Sequence, residues 1–136
     1  MWGTVCRTAR TDTRPGIPII ANGDIKNVSD VENAEKLGFS GVMIGRALLG
    51  RPWVLAEIGG CAVAPRNVGE IVLKHLEYAV EYYGERAAIP MFRKHAAWYS
   101  AGMPNSSDFR IRVNQITNAV ELRDEICKFW GCELNK

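Results

Sequence analysis

The chain has 136 residues, 47% of them hydrophobic, which suffices for one domain of ordinary size. Its net charge is +2, too small to argue nucleic-acid binding from total charge, so local clustering must carry any such case. No apolar run approaches the length of a membrane span, and the first residues carry Arg7, Arg10 and Arg14 without the apolar stretch of a secretory signal. The four cysteines, Cys6, Cys61, Cys127 and Cys132, form no Cys-x-x-Cys pair, so a reducing cytoplasm with free thiols is the expected setting.

Residues 1–16 show neither a period of 2 nor one of 3.6, and Pro15-Gly16 breaks the chain; a disordered tail is expected there. Ile17–Ala21 is a short, near-continuous apolar run, as expected for a strand buried on both faces. It ends in Asn22-Gly23-Asp24. Ser29-Asp30-Val31-Glu32 is a capping-box pattern that predicts a helix from about Asp30 to Gly38. Gly41–Ile44 is a second strand, ending in Gly45-Arg46. Two strands joined by one helix make a βαβ unit, usually parallel and right-handed. Leu48 to Ile58 is predicted helical in parts, with Pro52 in the first turn of a short helix carrying Trp53, Leu55 and Ile58.

The small, flexible stretch around Gly59-Gly60 marks a linker, here 59–66. Beyond it the pattern is helical. Asn67 is the expected cap of a helix whose stripe runs through Val68, Ile71, Val72, Leu76, Ala79, Val80 and Tyr83, with Gly84 as its stop. Pro90 is expected in the first turn of the next helix, which carries Met91, Phe92, Ala96, Trp98 and Tyr99. Asn105 and Asn118 open the last two segments. The reading is a bundle of three or four helices with its own core.

The chemistry suggested by this order sits where the two strands stop. In parallel α/β sheets, ligands bind outside the carboxyl ends of strands. Gly23 and Gly45 leave room for a ligand to approach the backbone, and Arg46 offers a donor fork suited to phosphate. A helix starting at Ala47 would add free N–H groups. The competing reading is that both dipeptides are ordinary turn residues and that Asp24 is a turn cap. In the helical half, Arg93, Lys94 and His95 cluster, with Trp98 at i+3 and i+4 spacing from the last two. Such a strip can hold phosphate and stack a base, or it can be a solvated face whose Trp98 points inward. His75 lies off the apolar stripe and reads as structural. No His, Cys, Asp or Glu grouping has metal-ligand spacing, and no Ser–His–Asp or Cys–His arrangement is supported.

Ile19-Ile20-Ala21-Asn22-Gly23-Asp24-Ile25, followed by Val42-Met43-Ile44-Gly45-Arg46-Ala47 and Gly50-Arg51-Pro52-Trp53, resembles the end of the barrel of tRNA-dihydrouridine synthases. Arg93-Lys94-His95-Ala96-Ala97-Trp98-Tyr99 resembles a segment of the helical domain of the same family, nearest its bacterial B-type subgroup. The resemblance runs from about Ile17 onward; Val5-Cys6-Arg7-Thr8 is only faintly similar to a His-Gly-Arg-Thr motif of the family and lacks its His. The implied fold is α/β followed by all-α: the last βα units of a (β/α)8 TIM barrel at 17–58, then a helical tRNA-binding domain at 67–136. A full barrel needs about 250 residues, so the chain reads as a C-terminal fragment or truncated product.

The resemblance implies FMN held through Asn22, Gly23, Asp24, Gly45 and Arg46, NADPH as reductant, and reduction of tRNA uridine to 5,6-dihydrouridine. Asp24 is better suited to ribityl hydroxyls than to the phosphate itself. Arg51, Arg93, Lys94 and His95 are the implied RNA contacts. The family's catalytic cysteine lies on an upstream loop, and none of the four cysteines here matches it; nor do the family's flavin-contacting Lys and His have counterparts. No catalytic residue is therefore assigned, and the expectation is a chain inactive by itself. The alternative is a non-catalytic helical RNA-binding module carrying a barrel remnant.

Overall fold

The computed structural model describes residues 16–61 and 68–132. By contacts these divide into two units, residues 16–48 with 53–61 and residues 49–52 with 68–132. Asn67, the expected cap of the first bundle helix, lies outside the described residues, as do Cys6 and nearly all of the irregular N-terminal stretch.

In the first unit, β1 (Ile20–Asn22) and β2 (Gly41–Met43) flank helix α1 (Val28–Lys36). The strands are parallel, with Ile20 opposite Gly41, Ala21 opposite Val42 and Asn22 opposite Met43. Because side chains alternate along a strand, Ala21 and Val42 point to one face and Ile20, Asn22 and Met43 to the other. The first face is closed: Ala21, Ile25 and Ala34 are buried, with Val31, Phe39, Val42 and Ile44 packed on them. The second is open, and Ile20 and Met43 are more than half exposed. Burial on both faces was the expectation for β1; among the described residues a single helix covers a single face.

Helix α1 starts two residues earlier than its sequence suggests. Asn27, not Ser29, is the cap: its side chain accepts from the Asp30 N–H at 3.0 Å, while the Asp30 carboxylate accepts from the Lys26 N–H at 2.9 Å. Two orphan donors at the helix entrance are satisfied reciprocally. A single 3-10 turn, Arg46–Leu48, follows β2, and a five-residue helix, α2 (Val54–Ile58), follows that. Val54 is the buried residue of α2, while Leu55, one of the apolar residues expected on this helix, is exposed.

The second unit holds four helices, α3 (Val68–Tyr83), α4 (Glu85–Tyr99), α5 (Ser106–Gln115) and α6 (Ala119–Trp130). Their core contains Val72 and Leu76 from α3, Ile89, Phe92 and Ala96 from α4, Phe109 and Val113 from α5, and Leu122 and Ile126 from α6. Phe109 also stacks on Phe129, with ring centroids 4.2 Å apart. Polar ties join the helices at their ends. Glu85 accepts from the Ala119 N–H at 2.6 Å, placing a carboxylate at the start of α6 where free N–H groups and the helix dipole favour it.

Two expectations about the bundle change. Pro90 sits well inside α4 rather than in its first turn, because α4 begins directly after Gly84. Ala87, Ala88 and Ile89 fill the added turn, and Pro90 is exposed, so the Arg86 carbonyl that loses its donor can face water. Tyr83 leaves the apolar stripe of α3 and is 52% exposed.

Candidate functional site

The parallel pairing sets the geometry of the strand-end site. Both strands run the same way, so the turns after Asn22 and Met43 open on the same edge of the sheet. Gly23 has φ +124° and Asp24 φ +49°, which turns the chain sharply as it leaves β1. The first is open only to glycine; the second is a left-handed conformation that Asp tolerates better than most residues. Asn22, Gly23, Asp24, Gly45 and Arg46 all line one hollow of about 300 Å³, together with Lys26, Met43 and Ala47.

Across this hollow Arg46 Nη2 donates to Asp24 Oδ1 at 2.8 Å, and Lys26 Nζ lies 3.9 Å from the same oxygen. The Arg46 side chain is 81% exposed and that of Asp24 55%, so the pair sits in water and the remaining guanidinium donors face outward. A Cβ added at Gly23 or Gly45 would meet nothing within 4 Å, so the backbone of both turns is open to an approaching group. Two cations, a fork of spare donors and unobstructed backbone fit a phosphate; the carboxylate fits a hydroxyl-bearing neighbour of that phosphate. Lys26 was not singled out from sequence, although its place two residues after Asp24 in the same turn was a usable signal. The helix start expected at Ala47 is a single 3-10 turn closed by Leu48 N–H on Gly45 O at 3.0 Å, too short to add a helix dipole.

The helical-unit candidates separate. Arg93 is half-buried, and its Nη2 donates to the Ile116 carbonyl at 2.9 Å, tying α4 to the end of α5. Lys94 is exposed, with Nζ 5.9 Å from the centroid of the half-buried Trp98 ring. His95 lies edge-on to Trp98 at 5.1 Å and to His75 at 4.7 Å. Burial, the neighbouring His75 and the Lys94 ammonium push the His95 pKa below 6.5, so its ring is neutral at pH 7. His75 is lowered as well, by burial, and its Nδ1 lies 3.3 Å from the Tyr99 hydroxyl. Of the three neighbouring basic residues, Lys94 is the one presented as an exposed cation. Arg51 is exposed and follows Gly50, which is pressed against the Trp98 carbonyl.

Among the described residues no group of three or more His, Cys, Asp or Glu could hold a metal ion, and no helix is long and apolar enough to cross a membrane. Cys61 is exposed, and Cys127 is buried; burial, the hydrogen bond with Cys132 and that neighbour's charge raise the Cys127 thiol pKa.

Comparison with known proteins supplies the affiliation. The family described as Dihydrouridine synthase (Dus) matches residues 5–130, starting earlier than the motifs around Ile17 suggest. A probable tRNA-dihydrouridine synthase of Rickettsia bellii is 41% identical over 129 residues, covering 88% of this chain and 40% of that protein. A probable tRNA-dihydrouridine synthase of Mycobacterium leprae is 42% identical over 115 residues, 78% of this chain and 30% of that protein. The tRNA-dihydrouridine synthase B of Xanthomonas campestris is 38% identical over 108 residues, 73% of this chain and 32% of that protein. The chain thus spans between three tenths and two fifths of the length of these relatives, and on the extent of the family match it belongs to the dihydrouridine synthase family.

Proposed function

We propose that this chain is part of a flavin-dependent tRNA-dihydrouridine synthase, with residues 17–58 as the last βα units of a TIM barrel, 59–66 as a linker and 67–136 as a helical tRNA-binding domain. The observation that carries this reading is the convergence of both strand-end turns on one hollow with an arginine, a lysine and open backbone. In this reading Arg46 and Lys26 neutralise the FMN phosphate, the backbone at Gly23 and Gly45 allows its close approach, and Asn22 and Asp24 hold ribityl hydroxyls. Bound there and reduced by NADPH, the flavin would supply hydride to the C5=C6 bond of a tRNA uridine. The chain's own residues bind and orient; among the described residues no cysteine lines the hollow, and in this reading the chain alone is inactive. Arg51, Lys94 and His95 are the proposed contacts to tRNA, with Arg93 holding the helix that carries two of them. The setting is the cytoplasm, where tRNA and NADPH are found.

The test is flavin binding by the chain itself, followed as quenching of FMN fluorescence. Saturable quenching that Arg46→Ala weakens is the expected result; an Arg46→Ala variant that binds as well as the parent defeats the assignment. The separate core of residues 68–132 favours a second reading, a helical RNA-binding module without catalysis. RNA binding by a chain that shows no flavin affinity would select it.

A further inference from the structure

Three of the four tyrosines stand on α3, and all three are exposed: Tyr78 by 58%, Tyr82 by 81% and Tyr83 by 52%. Burying a ring is favourable, so three exposed rings on adjacent turns are an unspent binding surface. They line an open hollow with His75, Ala79 and Glu81. Lys74, Tyr78 and Tyr82 follow one another at i, i+4 spacing, and Lys74 Nζ lies 5.7 Å from the Tyr78 ring centroid. Tyr82 and Tyr83 meet edge-to-face at 4.7 Å.

This surface is continuous with the Lys94 strip. His75, in the wall of the hollow, touches His95 at 4.7 Å; His95 touches Trp98 at 5.1 Å; Trp98 carries Lys94 at 5.9 Å. A run of rings therefore extends across α3 and α4 with a lysine against a ring near each end. Of the three acidic residues of α3, Glu77 pairs with Arg123 of α6 at 3.6 Å, Glu81 lines the hollow, and Glu70 lies one turn before Lys74. Rings interleaved with cations suit unpaired nucleotides, whose bases stack while their phosphates meet lysine; a regular duplex keeps its bases stacked on one another.

We propose that Tyr78, Tyr82 and His75 of α3 form a stacking platform for unpaired RNA nucleotides, extending the strip at Lys94 and Trp98. This rests on the tRNA-binding reading of the helical domain and adds to it a surface and a class of RNA. The test uses the full chain and fluorescence anisotropy of a labelled single-stranded oligoadenylate, against a duplex of equal length. The parent should bind the single strand more tightly. Tyr78→Ala with Tyr82→Ala should weaken that binding by about tenfold per ring lost, leave duplex binding within twofold, and be rescued by the corresponding Phe variants. Lys74→Gln should lower the salt slope for the single strand by about 0.7. If the parent binds RNA and the double Ala variant binds the single strand equally well, the platform is overturned while the RNA-binding reading stands. If the parent binds neither RNA, both are overturned. If the Ala variants instead abolish self-association and leave RNA affinity unchanged, the face belongs to a second copy of the chain and the platform is overturned.

Discussion

Arg46 and Asp24 are 22 residues apart and meet at 2.8 Å, because parallel pairing puts the ends of β1 and β2 on one edge. The pair is exposed, so its contribution to stability is at most about 1 kcal/mol. Its value is geometric: Asp24 occupies one donor of Arg46 and aims the rest outward. Hydrogen bonds from a cation to an anion contribute about 1.5–3 kcal/mol, so Arg46→Ala should weaken FMN binding by roughly tenfold or more. Lys26→Ala should weaken it less, being a single point charge, and neither change should move the unfolding midpoint appreciably. Fluorescence titration paired with thermal melts checks both halves. Loss of flavin affinity together with a large drop in melting temperature would indicate misfolding rather than a lost phosphate contact.

How far the sequence reveals this arrangement depends on how local each determinant is. The βαβ order and the two glycine turns are legible, because an apolar run followed by Asn-Gly or Gly-Arg is a short-range signal. The start of α1 is displaced because Asn27 and Ser29 are both competent caps and only the reach of the Asp30 carboxylate back to Lys26 decides between them. Pro90 is misplaced because proline favours a first turn, whereas the chain after Gly84 is already helical. The role of Arg93 is not legible at all: the carbonyl it holds belongs to Ile116, 23 residues away on another element. Of the candidate RNA contacts, the sequence identifies basic residues, but only the packing shows which one remains presented.

Inside the bundle, Arg112 and Glu125 form a partly buried ion pair. Nε donates to the carboxylate at 2.6 Å, and the Glu125 side chain is 11% exposed while that of Arg112 is 51% exposed. Removing Arg112 leaves a nearly buried carboxylate without its charged partner; removing both leaves no such group. Arg112→Ala should therefore destabilise the chain by about 1–3 kcal/mol, and the double variant Arg112→Ala with Glu125→Leu should recover part of that loss. Urea unfolding of the two single variants and the double one checks the coupling. Strict additivity would show that the pair contributes nothing beyond its separate side chains.

The two histidines give α3 and α4 a defined response to acid. Burial lowers both pKa values below 6.5, and the His75 ring also disfavours a proton on His95. Lys94 adds to this at His95, while the Tyr99 hydroxyl beside His75 stays neutral, its own pKa raised by burial. The unfolded chain therefore binds protons more readily than the folded one in this range. The stabilisation from holding both rings neutral is complete above pH 6.5 and is lost as pH falls below that value through the depressed folded pKa values. The parent should lose more stability between pH 7 and pH 5 than a His75→Gln, His95→Gln variant, measured as the shift in urea midpoint. An equal loss in both would place the acid sensitivity on the carboxylates instead.

Gly50 is the residue whose replacement the structure tolerates least in the stretch after the 3-10 turn. Its φ is +76°, and a Cβ there would collide with the carbonyl of Trp98 and come within 3.0 Å of the Tyr99 N–H nitrogen. The obstacle is backbone near the end of α4, which cannot swing aside as a side chain can. Gly50→Ala therefore combines a strained left-handed backbone with overpacking, about 2–4 kcal/mol together. The same clash should push Leu49–Pro52 away from α4 and with it Arg51, so RNA affinity should fall in Gly50→Ala about as far as in Arg51→Ala. Arg51→Ala should leave the unfolding midpoint nearly unchanged, whereas Gly50→Ala should lower it and alter Trp98 emission. A Gly50→Ala chain with the parent's melting curve would show that the close approach to α4 is not maintained in solution.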